Sequence, residues 1–355
     1  RTARLGGHVQ QCQDCDTLRI AYNSCRNRHC PKCQGQASRD WLAARQADLL
    51  PIGYFHVVFT VPQAIAAIAF QNKEAVYAIL FRAVAETLRR LAADPRHLGA
   101  EIGFIAVLHS WGQNLQYHPH VHCIVPGGGL SVERSRWVAF RPNFFMPVRV
   151  LSRLFRRLFL DGLRALHAAG RLTFFGDLAS LADAPAFEAM LAPLCRAEWV
   201  VYAKRPLAGP AAVLAYLSRY THRVAIANSR LLTMDERGIT FRWKDYRTKG
   251  KTRHKTMTLA PDEFIRRFLL HVLPSGFHRI RHYGLLANGG RRDHLAQARA
   301  LLQVEPESTE TNTDKLERTT LPTFVCPDCG AAMIIIEILA RKPLIRAPPP
   351  LGGVS

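Results

Sequence analysis

The chain has 355 residues, and its 48 lysines and arginines outnumber its 27 aspartates and glutamates, which gives a net charge of +21 and a pI near 10.2. A hydrophobic content of 48% is sufficient for a folded core, so the excess charge lies on a folded surface and favours a polyanionic partner such as nucleic acid. The sequence shows no signal peptide and no apolar run of about 18 residues, so we expect neither secretion nor a membrane span.

The length predicts two or three structural units. We expect a cysteine-rich module over residues 1–50, a main domain over residues 51–290, and a linker with a poorly structured tail over residues 291–355.

Two closely spaced cysteine pairs lie in the first module. Cys12 and Cys15 are separated by 14 residues from Cys30 and Cys33, which is close to the spacing of zinc ribbons and related knuckles. The sequence therefore predicts a zinc ion bound by these four cysteines.

Three more potential ligands lie in the same module. Cys25, His29 and His8 exceed the four positions of one tetrahedral zinc ion, so they could replace a ligand, form a second site or support the first. Because arginines surround the cysteines, the module could contact DNA, or it could serve only to stabilise the fold.

From residue 54 the chain alternates strand-like and helix-like segments. The predicted strands are residues 54–61, 104–111, 120–126 and 199–203, and the predicted helices are residues 74–93, 148–168 and 185–195. This pattern indicates an α+β fold, with an antiparallel sheet flanked by helices and preceded by the zinc-binding module.

Three histidines alternate along one predicted strand. His118, His120 and His122 share a face because successive strand residues point to opposite sides. Neighbours on that face lie about 7 Å apart, so a cation with bonds of about 2.1 Å to nitrogen can join two adjacent imidazoles but hardly the outer two. Pro119 is tolerated only at a strand's start or edge, which favours His120 and His122 as the metal ligands.

A third metal ligand must come from outside this strand. Residues 104–111 read as the preceding antiparallel strand, and a short turn folds it back, so Gln113, Asn114 and His109 are all candidates. The alternative to a metal site is a polar strand face whose histidines hydrogen-bond to solvent or carbonyls.

Two tyrosines lie four positions apart in a segment that reads as a helix beginning near Pro210. Tyr216 and Tyr220 therefore share one helix face, with Cβ atoms about 5–6 Å apart. A phenol with a pKa near 10 is a poor nucleophile without help, which nearby Arg219, Arg223 and a divalent cation would provide. The alternative is core packing with the hydroxyls at the rim.

Residues 241–255 interleave cations with aromatic residues around a predicted turn at Gly250. Cations can follow the phosphates of a nucleic acid while Trp243 and Tyr246 stack on its bases, although a solvated hairpin would look the same. The cations expected to contact DNA here are Arg242, Lys244, Arg247 and Lys249.

The predicted tail contains one further cysteine pair. Cys326 and Cys329 repeat the CxxC spacing but have no second pair nearby, so their role stays open.

The histidine strand, the two-tyrosine helix and three segments, Tyr22 to Cys33, Tyr54 to Thr60 and Tyr216 to Ala225, closely resemble the IS91-type rolling-circle transposases. The resemblance covers about residues 5 to 290. It implies an HUH endonuclease that nicks single-stranded DNA at transposon ends through a 5′-phosphotyrosine intermediate.

By that resemblance, His120 and His122 hold Mg²⁺ or Mn²⁺, Tyr216 and Tyr220 are the nucleophiles, and Tyr54 to Thr60 is the inner strand beside the site. A bacterial, cytoplasmic enzyme associated with the nucleoid through DNA is then expected. A plasmid replication initiator or relaxase with the same chemistry, and a non-catalytic zinc-dependent DNA-binding protein, are the alternatives.

Overall fold

The structure, a computed structural model, describes residues 3–25, 27, 29–46, 48–207, 212, 221, 225–245, 253–303 and 324–341. Over these residues the strands are β1 (Gly7–Cys12), β2 (Leu18–Tyr22), β3 (Tyr54–Thr60), β4 (Ala100–Glu101), β5 (Phe104–Trp111), β6 (Tyr117–Pro126), β7 (Gly128–Ser131), β8 (Trp137–Ala139), β9 (Val201–Leu207), β10 (Leu231–Asp235), β11 (Gly238–Lys244), β12 (His254–Leu259), β13 (Ile280–Tyr283) and β14 (Met333–Leu339).

The α-helices of the same residues are α1 (Pro31–Gln46), α2 (Gln63–Gln71), α3 (Lys73–Ala93), α4 (Val148–Ala168), α5 (Ala184–Arg196), α6 (Pro261–Leu269) and α7 (Arg291–Leu301). The three helices predicted between residues 74 and 195 are confirmed as α3, α4 and α5. The predicted α+β class, with an antiparallel sheet flanked by helices, is confirmed as well.

The chain forms two compact units, one made of Arg1–Ala37 with Pro306–Ser355 and the other of Ser38–Glu305. In the first unit β14, β1 and β2 form an antiparallel sheet in that order. β14 pairs with β1 from Gly7 opposite Leu339 to Cys12 opposite Met333.

This pairing corrects the prediction of a poorly structured tail, which is wrong for residues 324–341. The sequence Met-Ile-Ile-Ile-Glu-Ile-Leu of β14 is rich in β-branched residues, which favour strands. Its partner β1 lies more than 300 residues earlier, so no local pattern could reveal the pairing.

The second unit is built on a five-stranded antiparallel sheet in the order β13-β5-β6-β3-β9. Helices α2 to α5 cover one face of this sheet. Alternate strand residues such as Val57, Phe59, Ala106, Val121 and Cys123 point into the resulting core and are fully buried. Burial of these apolar side chains stabilises the sheet at roughly 25 cal/mol per Å² of area removed from water.

The opposite face of the sheet differs between its two ends. At one end Tyr54, Ile105 and Ile124 form a second apolar cluster with residues of α7. At the other end the same face carries histidines of β3, β5 and β6. The prediction that residues 104–111 and Tyr54 to Thr60 form strands beside the histidine strand is confirmed, because β5 and β3 both pair with β6.

A smaller sheet in the order β10-β11-β12 lies beside the turn that joins β5 to β6. Phe241 of β11 is fully buried with Leu115 of that turn. Arg230 donates to the carbonyl of Gln113, and Arg267 of α6 donates to that of Asn114 at 3.1 Å. These contacts fix the turn that leads into the histidine strand.

Within the residues described, no single helix combines the length and the apolar composition of a membrane span. The pair Gly176–Ala182 and Ala184–Arg196 meets those two criteria only when its members are taken together, and it is bent by 104°.

Candidate functional site: a histidine cluster on an antiparallel sheet

Three histidines of β5 and β6 converge on one face of the central sheet. His109 lies directly opposite His120 in the β5–β6 ladder, and His122 follows two residues along the same face. One ligand nitrogen from each of the three lies within 4.8 Å of those from the other two. The prediction that alternation places His120 and His122 on one face is confirmed, and His109 is brought to them by the register.

The three candidates for a third metal ligand, Gln113, Asn114 and His109, differ in their surroundings. The carbonyls of Gln113 and Asn114 accept hydrogen bonds from Arg230 and Arg267, and the side chain of Asn114 accepts one from the N–H of Gln116 at 3.3 Å. His109 is the candidate whose ring nitrogen lies within 4.8 Å of those of His120 and His122.

The hydrogen bond of His120 determines which of its nitrogens can bind a metal. Nδ1 lies 2.7 Å from the carbonyl oxygen of His118, and because a carbonyl only accepts, Nδ1 carries the proton. The lone pair is then on Nε2. Burial lowers the pKa of His120 to about 4, so its ring is neutral near pH 7, as a metal ligand must be.

His122 has a partner that the sequence did not identify. Its Nδ1 lies 2.8 Å from Nε2 of His56 in β3. Burial, reinforced by the neighbouring histidines, holds the pKa of His122 well below its ordinary value, and burial with the charge of Lys204 lowers the pKa of His56 to about 3. One of the two neutral rings donates its N–H to the other, and when the donor is Nδ1 of His122, the lone pair of His122 is on Nε2.

The edge strand β9 extends this face with two exposed side chains. Lys204 lies opposite His56, and Tyr202 lies opposite Val58, which itself pairs with His122. Tyr202 is 54% exposed. A cation and an aromatic ring therefore lie on the same face of the sheet as the histidines, on the strand next to β3.

The tyrosines predicted as nucleophiles lie outside the described residues. The same holds for the predicted DNA contacts Arg219, Arg223, Arg247 and Lys249. The structure therefore leaves those roles as predictions. Thr221 is described, and its carbonyl accepts a hydrogen bond from Arg279, the residue immediately before β13.

Two of the predicted DNA-contacting cations lie on β11. Arg242 and Lys244 occupy alternate positions, opposite Thr256 and His254 of β12. The intervening Trp243 packs against the apolar cluster of this sheet, with Lys255 over its ring at 5.7 Å. The cations thus share one face of the sheet, and Trp243 belongs to the other face, which is packed.

The cysteines form two groups that differ from the predicted one. Sulfur atoms of Cys12, Cys15, Cys326 and Cys329 lie within 4.8 Å of one another. The prediction that the first pair shares a metal with Cys30 and Cys33 is therefore wrong in its grouping. All CxxC pairs have the same spacing, and the β1–β14 pairing decides which of them meet.

The second group contains Cys25, Cys30 and Cys33, whose sulfur atoms also lie within 4.8 Å of one another. Sγ of Cys25 lies 3.4 Å from Sγ of Cys33, and Cys33 is in the first turn of α1. A hydrogen bond with Ser24 leads the interactions that lower the pKa of the Cys33 thiol to about 6. Among the described residues, His29 belongs to neither group of ligand atoms.

Comparisons with known proteins agree with these features. A family model described as "Putative transposase" matches residues 103–294, and one described as "Transposase zinc-binding domain" matches residues 1–61. The chain is 59% identical to "Putative transposase y4qJ" of Sinorhizobium fredii, over 95% of this chain and 86% of that protein. It is 26% identical to "Transposase for insertion sequence element IS801" of Pseudomonas savastanoi pv. phaseolicola, over 94% of this chain and 80% of that protein.

Among solved structures, the conjugative relaxase TrwC in complex with mutant oriT DNA is 14% identical, over 69% of this chain and 72% of that chain, with a TM-score of 0.27. A TM-score of that size is too low to establish a shared fold.

Proposed function

Since the chain belongs to the IS91-type transposases, we propose that it moves an insertion sequence by nicking and rejoining single-stranded DNA through a 5′-phosphotyrosine intermediate. The observation that supports this chemistry most strongly is the cluster of His109, His120 and His122 on one face of the central sheet.

The donor set of this cluster suits a divalent cation. A cation with bonds of about 2.1 Å holds neighbouring nitrogens about 3.0–3.4 Å apart, so small ring rotations bring the three nitrogens into one coordination shell. Imidazole must be neutral to bind, and the lowered pKa values of His120 and His122 meet that condition. We propose Mn²⁺ or Mg²⁺; three nitrogen donors suit Mn²⁺ better than Mg²⁺, which prefers oxygen.

A cation bound there would polarise the scissile phosphate and offset the charge that develops on it. The protein's own groups orient the ligands. The carbonyl of His118 fixes the tautomer of His120, and the ring of His56 offers Nε2 as an acceptor for an Nδ1 proton of His122, which is how outer partners usually support metal-binding histidines. Lys204, at the edge of the same face, adds a positive charge for a DNA phosphate.

The proposed nucleophiles are Tyr216 and Tyr220. One phenol oxygen forms a bond to phosphorus, the bond from phosphorus to the 3′ oxygen breaks, and the phenol proton ends on the released 3′-hydroxyl. The broken bond is conserved in the phosphotyrosine link, so rejoining by the reverse reaction needs no external energy source. Two tyrosines would allow one DNA end to be held while a second strand is opened.

Zinc belongs to the N-terminal module, as its family implies. The Cys25, Cys30 and Cys33 group fits this ion because thiolates are preferred zinc ligands and the third lies at a helix N-terminus, where negative charge is favoured. We propose that this module contributes to DNA binding.

Covalent trapping tests the proposal. Labelled single-stranded DNA carrying a transposon end, incubated with the protein and Mn²⁺, should give an adduct that survives SDS. The Tyr216→Phe/Tyr220→Phe variant should give none, and EDTA should prevent formation in the wild type. An adduct that persists under either condition contradicts the proposed chemistry.

The matched control is Tyr202→Phe. Tyr202 is an exposed tyrosine on the histidine face, so a misassigned nucleophile would be revealed by loss of the adduct in this variant. We expect Tyr202→Phe to keep the adduct.

The His120→Ala variant distinguishes the hypothesis of an enzyme from that of a non-catalytic DNA-binding protein. We expect nicking to be abolished while salt-sensitive DNA binding stays near the wild-type level. Loss of binding together with nicking would favour a structural role for the histidines. Whether the substrate is a transposon end or a plasmid origin, as for a replication initiator or relaxase, is decided by which DNA supports the adduct.

A further inference from the structure

We propose that Cys12, Cys15, Cys326 and Cys329 bind one structural zinc ion that joins the two ends of the chain. The matched zinc-binding family spans residues 1–61, so it assigns nothing to the two C-terminal cysteines. The site is independent of the proposed catalytic activity, because it lies in the unit formed by the chain's two ends and not in the unit that carries the histidine cluster.

The two cysteine segments have the same local structure. The backbone N–H of Cys12 donates to the carbonyl of Thr17 at 3.0 Å, and that of Cys326 donates to the carbonyl of Ala331 at 2.8 Å. Each pair is therefore held in a turn that closes five residues after its first cysteine. Equivalent turns present both pairs of sulfur atoms in the same way.

The two segments also match in sequence and backbone. Each reads Cys-x-Asp-Cys, and each second cysteine is followed by a residue in the left-handed region, Asp16 with φ of 56° and Gly330 with φ of 79°. Asp and Gly are the residues that adopt this conformation at low cost. The C-terminal pair is thus a structural counterpart of the N-terminal pair.

The sulfur positions match a tetrahedral zinc site. Sγ of Cys12 lies 3.4 Å from Sγ of Cys329, and Sγ of Cys15 lies 3.6 Å from Sγ of Cys326. Zn–S bonds of about 2.3 Å place the sulfurs of a tetrahedron about 3.8 Å apart. A disulfide would need about 2.05 Å. The four sulfurs are therefore spaced as ligands of one ion and not as two cystines.

Local contacts hold the two turns against each other. Cys12 and Cys326 are 1% and 2% exposed and pack with Met333 in a small apolar cluster. The hydroxyl of Thr17 donates to the carboxylate of Asp328 at 3.1 Å, which links the N-terminal turn to the C-terminal one. A closed set of four thiolates with no open position is the donor set of a structural zinc site.

The ion would supply stability that the small sheet lacks. Among the residues described, the three-stranded sheet has only a small apolar cluster, and folds that bury little apolar surface are commonly stabilised by a metal. The β1–β14 pairing and the metal site lie side by side, since Cys12 is opposite Met333 in the ladder. Zinc removal should therefore release β14 from β1.

Zinc content of the purified full-length chain tests the proposal. The Cys326→Ser/Cys329→Ser variant should carry one zinc equivalent fewer than the wild type, and a Cys195→Ser control should carry the wild-type amount. Unchanged zinc content in the double variant would overturn the proposal. So would the finding that iron, which four thiolates also suit, occupies the site in the wild type.

A combination of pairs identifies which cysteines share an ion. Removing Cys12 and Cys15 in addition to Cys326 and Cys329 should cost no more zinc than removing either pair. Loss of two equivalents in that quadruple variant means that the two pairs bind separate ions and refutes a shared site.

Hydrogen exchange on the wild type gives a readout that needs no variant. When zinc is removed by a chelator, the amides of β14 should lose protection while those of β5 and β6 keep theirs. Protection of β14 that survives complete zinc removal would show that the ion does not hold the C-terminal strand. Neither measurement depends on DNA nicking, so failure here leaves the proposed transposase chemistry untouched.

Discussion

Nε2 of His56 lies 2.8 Å from Nδ1 of His122, and the two imidazole planes are nearly parallel, at 8° to each other. His56 belongs to the inner strand β3 and His122 to its neighbour β6. Both rings are buried, and burial favours their neutral forms. One ring therefore donates the shared proton and the other accepts it, and donation by His122 leaves the lone pair of that ring on Nε2.

Replacing His56 should weaken the metal site without removing it. In His56→Ala the Nδ1 proton of His122 loses this acceptor, and supporting partners of this kind are typically worth about 10–100-fold in metal affinity. We expect the Mn²⁺ concentration for half-maximal nicking to rise by that factor, with the rate at saturating Mn²⁺ close to the wild-type value.

Two variants control for other effects of this change. His56→Gln keeps an acceptor and should recover part of the affinity, while His118→Ala keeps the backbone carbonyl that orients His120 and should change little. An unaltered Mn²⁺ dependence in His56→Ala would show that the His56–His122 contact is only packing.

His109 should behave as a metal ligand and Asn114 should not. The register places His109 opposite His120, whereas the oxygen of the Asn114 side chain accepts a backbone hydrogen bond in the turn. We expect His109→Ala to lower Mn²⁺-dependent nicking by roughly 100-fold or more, since loss of a direct ligand exceeds loss of a supporting partner. Asn114→Ala should stay within a few-fold of the wild type. Similar losses in both variants would point to a structural defect of the turn.

The face of the β10-β11-β12 sheet that carries Arg242 and Lys244 should contribute to DNA affinity through its positive charge. Arg242 and Lys244 lie on the same face of β11, and each contact with a phosphate of single-stranded DNA contributes about 0.7 to the slope of log affinity against log salt. The Arg242→Gln/Lys244→Gln variant should therefore lower that slope by about 1.4. Arg237→Gln, in the preceding turn where Arg237 lies 3.7 Å from Asp235, is the control. If the slope of log affinity against log salt in the double variant equals that of the wild type, the hairpin is only solvated and these two cations do not contact DNA.

The shared face of His120 and His122 could be predicted because it depends only on the sequence of one strand. Alternation within five residues is enough to place His120 and His122 on one side of a strand, whatever that strand pairs with. The position of His109 beside them could not be predicted in the same way. It depends on the β5–β6 register, which shifts between His109 and Trp111, and on the turn that Arg230 and Arg267 hold.

The role of His56 had a signal that the alternation rule could have revealed. His56 is the histidine of an otherwise apolar strand segment adjacent to the site, on the face opposite Val57 and Phe59. The sequence also contained a signal for Cys326 and Cys329, because their segment repeats the Cys-x-Asp-Cys pattern of Cys12 and Cys15. Spacing alone could not show that partners more than 300 residues apart would meet.

Acid should destabilise the second unit partly through His271, which is not one of the three clustered histidines. His271 is buried, its Nε2 donates to the carbonyl of Leu115 at 3.1 Å, and its Nδ1 lies 3.2 Å from the hydroxyl of Ser110. Burial, followed by the charge of Lys73, lowers its pKa to about 4. The unfolded chain, with a histidine pKa of about 6.5, therefore binds more protons than the folded chain between these two values. The contribution is complete above about pH 6.5 and is lost progressively as the pH falls towards 4.

A non-ionisable replacement isolates this contribution. The amide of His271→Gln can donate to Leu115 and accept from Ser110 but cannot take up a proton in this range. We expect the midpoint of thermal unfolding to fall less between pH 7 and pH 5 in this variant than in the wild type. The cysteine sites also respond to acid, but equally in both proteins, so the difference between the two pH profiles reports the histidine. His278→Gln, at an exposed position, should follow the wild-type profile, and a His271→Gln profile parallel to the wild type would show that this ring is not the acid-sensitive group.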